Sequence, residues 1–142
     1  MVNILLIEDS SPDVKLATKA LVETNIPHRL HIARDGEEGL SFLQRKAPFE
    51  TAPYPDLVLL DLNLPKVNGK EILGSIKTDE RLLQIPVIIF STSNADRDVL
   101  EVYRLHANCY IRKPKDFSGW VEVFQTLVKF WLRIAELPGG NS

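Results

Sequence analysis

Short blocks of consecutive apolar residues alternate along the chain with longer stretches in which apolar positions recur every three or four residues. The blocks read as strands covered on both faces, and the spaced stretches as amphipathic helices. Val2–Ile7, His28–Ala33, Leu57–Leu60, 87–90 and 109–111 are the predicted strands. The first helix is expected over about 12–24, with Ser11 as its N-cap and Pro12 in the first helical position. Asn25 and Pro27 end it. The second opens at Asp35-Gly36 and runs to about Lys46, with Leu40, Phe42 and Leu43 on its apolar face. Three prolines in 47–55 rule out a helix and predict a long loop. After Gly69, the spacing of Ile72, Leu73 and Ile76 predicts a third helix ending near Asp79. Ser93 and Asp96 have the spacing of a capping box for a fourth helix carrying Val99, Val102 and Tyr103, and a fifth runs from Phe117 to about Glu136.

Five strands alternating with five helices predict an α/β fold, a flavodoxin-like doubly wound parallel sheet in the order 2-1-3-4-5. That order sets the ends of the first and third strands side by side. A chain of 142 residues fits one domain, expected over 1–137, with Gly139 and Gly140 opening a flexible tail over 138–142.

Composition adds exclusions. Apolar residues at 44% and charged residues at 25% suit a globular domain, and seventeen basic against nineteen acidic residues leave a charge of -2. No basic run favours nucleic acid, and no apolar run reaches the length of a membrane span, so a cytoplasmic location is expected. The lone Cys109 has no internal partner and reads as a small buried hydrophobe.

Chemistry enters at the carboxyl ends of the predicted strands, where open α/β sheets bind their ligands. Those ends carry Glu8 and Asp9, Asp61, Ser91 with Thr92, and Lys113. Taken singly, each has a plainer explanation as a solvated strand end, a helix cap or a turn; their occurrence at successive strand ends is what is specific. Three crowded carboxylates repel unless a cation intervenes, and magnesium suits an all-oxygen set. Asp9 and Asp61 fit as direct ligands, Glu8 through water and the main-chain carbonyl of Asn63 as a further one; manganese or calcium can substitute in crystals. Lys113 and the Ser91 hydroxyl suit the oxygens of a phosphoryl group on Asp61.

These residues resemble the receiver domains of bacterial two-component response regulators, from about Asn3 to about Leu132. The resemblance implies that Asp61 is the phosphoacceptor, Glu8 and Asp9 the acidic metal pair, Ser91 the switch hydroxyl, Tyr110 the switch aromatic and Lys113 the family's lysine. It implies a signalling protein rather than an enzyme, one that takes phosphate from a histidine kinase onto its own aspartate and slowly loses it. The Pro-rich stretch before PDLVLLDLNLPKVNGKE resembles the stand-alone regulators paired with cyanobacterial phytochromes, which implies a red-light-sensing kinase as donor. A phosphorelay shuttle handing phosphate to a histidine phosphotransfer protein is the alternative. One departure stands out: the family usually has Gly-Ala before the fifth strand, and this chain has His106-Ala107.

Other classes fit less well. Aspartyl-phosphate phosphatases typically carry a second aspartate where this chain has Asn63, and no loop is rich enough in glycine to cradle a flavin phosphate. On the fifth helix, apolar residues from Trp120 to Ile134 spread over roughly 220°, about twice the stripe one sheet face needs. Something should cover Phe130 or Trp131. A homodimer through helix four, strand five and helix five is expected, with the tail or the long loop as the other candidate.

Overall fold

The computed structural model describes residues 1–138. Residues 139–142 of the tail expected over 138–142 lie outside them. Among the described residues five parallel strands, β1 (Val2–Ile7), β2 (His28–Ala33), β3 (Leu57–Leu60), β4 (Val87–Ser91) and β5 (Cys109–Arg112), form one sheet in the order β2-β1-β3-β4-β5. The helices are α1 (Ser11–Glu23), α2 (Gly36–Gln44), α3 (Gly69–Lys77), α4 (Asp96–Arg104) and α5 (Phe117–Lys129).

Burial on both sides explains the apolar blocks. Ile4 and Leu6 of β1, with Leu57 and Leu59 of β3, face the layer of α1 and α5, where Trp120 and Phe124 pack on Phe90. Leu5 and Ile7, with Val58 and Leu60, face the opposite layer of α2, α3 and Val102 of α4. The alternation of side chains along a strand divides one continuous run between two cores. Register then aligns the strand ends: Ile7 pairs with Leu60, and Ser91 with Arg112.

Several element ends differ from the sequence expectation. The cap of α1 is Ser10, whose hydroxyl accepts from Asp13 N, so Ser11 starts the helix and Pro12 takes its second position. Helix α2 stops two residues short, because Arg45 turns left-handed at φ 55°. Helix α4 has no side-chain N-cap at Ala95; Ser93 bonds Ala95 N and Asp98 instead, two residues too early for a capping box. Past Lys129, α5 widens into a π-helical turn, Phe130–Ile134, closed by Ala135 N on Phe130 O, and the chain is extended by Ala135.

Cys109 is half-buried rather than buried, lining a surface groove of about 380 Å³ with Ile111, Val123, Leu127, Phe130 and Trp131. Leu137 folds back into the α1–α5 core, yet Phe130 and Ile134 remain 48% and 65% exposed. Among the described residues, Leu137 at the end of the expected domain leaves these two side chains of α5 uncovered.

Candidate functional site

Every site residue expected from the sequence except Tyr110 lies at or just beyond the carboxyl end of β1, β3, β4 or β5, and Tyr110 lies within β5. Glu8, Asp61 and Ser91 are the polar residues buried as whole residues among those described. Burying three such groups at one edge is costly unless each is partnered, and the partners are there.

The backbone holds the rim first. Glu8 N donates to Ala33 O and Asp61 N to Ile7 O, extending the ladder of β1 past its last residue on both sides. Lys113 N donates to Ser91 O in the same way. Behind Asp61 the turn into α3 is packed against Gly69: a Cβ there would stand 2.3 Å from Asp61 O and 2.6 Å from Leu62 Cα. Only glycine lets the start of α3 approach that closely.

Lys113 is the hub. Its Nζ lies 2.6 Å from Glu8 Oε1, 2.7 Å from Asp13 Oδ2 and 3.5 Å from Asp61 Oδ2, with the side chain almost wholly buried. Burial alone would lower the pKa of its ammonium, but hydrogen bonds to Asp13 and Glu8 and the charge of Asp61 outweigh it and push the group up to about 12. Glu8 goes the other way from an ordinary carboxyl. Burial, followed by the nearby charge of Asp61, outweighs what one shared ammonium supplies, and its pKa rises to about 7.

Oxygens of Glu8, Asp9 and Asp61 all lie within 4.8 Å of one another. Asp9 is exposed and the other two are buried, so the group opens to solvent on one side. An oxygen-only set of this size fits a hard divalent cation. Asn63 is exposed two residues beyond Asp61, in a small recess with Leu62, Asn68, Lys70 and Asp98.

Ser91 points inward, its Oγ accepting from Ser93 N at 3.1 Å, while Thr92 faces solvent. Tyr110 donates its hydroxyl to Ser93 O at 2.9 Å and packs against the α2–α3 core, so its ring already lies under the β4–α4 loop. Ser93 Oγ meets Asp98, which Lys70 of α3 grips together with Glu101. His106 takes the left-handed conformation, φ 71°, at the position where the family has glycine.

A family model described as the response regulator receiver domain matches residues 4–125. The chain belongs to that family. It is 42% identical over 135 residues to the response regulator Rcp1 of Synechocystis sp., covering 95% of this chain and 92% of that protein. The phosphorylated cyanobacterial phytochrome response regulator RcpA superposes with a TM-score of 0.93 at 41% identity, covering 96% of this chain and 98% of its own. The Mn(2+)-bound form of Rcp1 superposes at 0.92, again with 41% identity, over 97% and 99% of the two chains. This receiver is thus related to phytochrome response regulators, with the flavodoxin-like fold its alternating pattern predicts. No helix among the described residues is long and apolar enough to cross a membrane.

The residue that sequence reasoning passed over is Asp13. Its carboxylate reaches Lys113 from the first turn of α1. The available signal was its place one turn beyond the acidic pair, at a helix start directed at the same rim.

Proposed function

We propose that this receiver accepts a phosphoryl group on Asp61 from the phosphohistidine of a partner kinase, and that the donor is a phytochrome-type light sensor. The observation that carries the first part is the buried contact among Lys113, Glu8 and Asp61. Similarity to phytochrome response regulators supports the second. One carboxylate oxygen of Asp61 attacks phosphorus in line; the O–P bond forms as the P–N bond breaks, and the imidazole leaves with a solvent proton. Lys113 offsets charge on the transferring oxygens, and Ser91 Oγ, on the neighbouring strand end, donates to one of them after turning from Ser93 N. Glu8, Asp9 and Asp61, with the Asn63 carbonyl, would hold magnesium, which supplies charge neutralisation and orientation when bound.

The readout follows the bonds already present. When Ser91 Oγ turns toward a phosphoryl oxygen it gives up Ser93 N, and Ser93 is the residue that holds both Tyr110, through its carbonyl, and Asp98, through its hydroxyl. Phosphorylation therefore moves the β4–α4 loop and with it the α4–β5–α5 face. The exposed Phe130 and the adjoining groove support a homodimer through that face.

Acetyl phosphate with magnesium, followed by intact mass, tests the central step. The wild type gains one phosphoryl group and Asp61→Asn gains none; equal labelling of both would remove Asp61 from its role.

A further inference from the structure

An ammonium has three N–H donors. Asp13 Oδ2 accepts one of those on Lys113 at 2.7 Å, and Glu8 Oε1 stands 2.6 Å from the same nitrogen as its ion-pair partner. The third faces Asp61 Oδ2 at 3.5 Å, too far for a hydrogen bond. The two acceptors that fix the ammonium are themselves joined. Ser10 N donates to Glu8 Oε2, and Ser10 Oγ accepts from Asp13 N. Glu8, Ser10, Asp13 and Lys113 thus close a ring of three hydrogen bonds and one ion pair joining the end of β1, the cap of α1 and the end of β5.

From this ring we infer that Asp13 is a positioning residue for Lys113, an inference that rests on the phosphoacceptor reading of Asp61. With one acceptor, the ammonium could rotate about its remaining bond and the stem could swing. With two on separate elements, the free donor keeps one direction, toward Asp61. A phosphoryl group on Asp61 brings oxygen closer to that donor, so Lys113 gains a third partner without releasing the first two. What Asp13 contributes is a directed acceptor more than a negative charge, since charge is already abundant at the rim. Its amide analogue should therefore serve almost as well.

The experiment compares the full chain with Asp13→Ala and Asp13→Asn at saturating magnesium, reading the rate of acetyl phosphate labelling against acetyl phosphate concentration. Asp13→Ala is expected to lower the saturating rate about tenfold, with the half-saturating concentration little changed, and Asp13→Asn to restore it to within about twofold. A wild-type rate in Asp13→Ala overturns the inference, and so does Asp13→Asn being as slow as Asp13→Ala, which would make charge the contribution. A second readout does not depend on phosphate transfer: nitrogen-15 NMR of the lysine ammonium groups. A slowly exchanging Lys113 signal, identified by its loss in Lys113→Arg, should persist in Asp13→Asn and broaden in Asp13→Ala; persistence in both overturns the ring. If the wild type takes no phosphoryl group but the ammonium signals behave as stated, the phosphoacceptor reading fails and the positioning of Lys113 stands.

Discussion

The rim where β1 and β3 end and the α4 segment beside it are built to different standards. At the rim, β3 is buried along its whole length, backbone bonds run past the strand ends, and Gly69 is pressed onto the Asp61 carbonyl. In α4 only Val102 is buried, no side chain caps the start, and a histidine strained into the left-handed region closes the end. Lys70, Asp98 and Ser93 tie it down through partly exposed polar contacts, which are individually weak. The difference suits a readout of the proposed phosphorylation: the groups at the rim are held by burial and backbone bonds, and the element next to them has little burial to lose on opening.

The largest break of that contrast should come from Gly69→Ala. The new methyl would meet backbone on the Asp61 side, with no flexible side chain to yield, so we expect a loss of about 1–3 kcal/mol in urea unfolding and much slower labelling of Asp61. Gly74→Ala, in the same helix with open space around it, should instead stabilise by about 0.5–1 kcal/mol. If both substitutions behave alike, the rim is not the rigid partner.

Proton linkage offers a second test. The Glu8 carboxyl is raised from 4.5 to about 7, so between those values the folded protein binds more protons than the unfolded chain. In the metal-free protein its contribution to stability is full below pH 4.5 and falls as pH rises toward 7. Melting in EDTA should therefore drop across that window. Magnesium, competing with the proton, should raise the melting temperature by several degrees near pH 8 and hardly at all near pH 5. A magnesium effect independent of pH would contradict this account of the rim.

A smaller effect is expected on the readout side. Phe130→Glu should weaken self-association at least about tenfold, or 1.4 kcal/mol, by sedimentation, leaving the labelling rate alone. A wild type that stays monomeric at high concentration would remove the dimer. Least of all, His106→Gly should relieve the strained turn, stabilise by about 0.5–1 kcal/mol and slow amide exchange in α4 without touching phosphorylation. Faster exchange there would mean that His106 contributes contacts outweighing its strain.

How much of this was legible in the sequence varied with the physics behind each feature. Leu57–Leu60 and Ile4–Ile7 announced themselves because the part of a strand covered on both faces is almost wholly apolar, and the polar groups that follow them stand out at once. The site followed from those ends. Asp13 was hidden because a carboxylate in the first turn of a helix already has an ordinary purpose there, and its contact with Lys113 depends on two elements a hundred residues apart. Ser10 and Ser11 are interchangeable as capping chemistry; which one caps depends on the path of the chain leaving Asp9. The π-helical turn after Lys129 leaves no sign in a run of apolar residues whose period fits either geometry.

Trp120 offers a last consequence. Its indole nitrogen donates to the carbonyl of Pro114, the residue joined directly to Lys113, while its ring lies against Phe90 and Phe124. Any shift of the lysine backbone alters the surroundings of a natural fluorophore, so the proposed phosphorylation of Asp61 would have an optical gauge within the molecule if it moves that backbone. Replacing Trp131 by phenylalanine would leave that gauge alone in the spectrum.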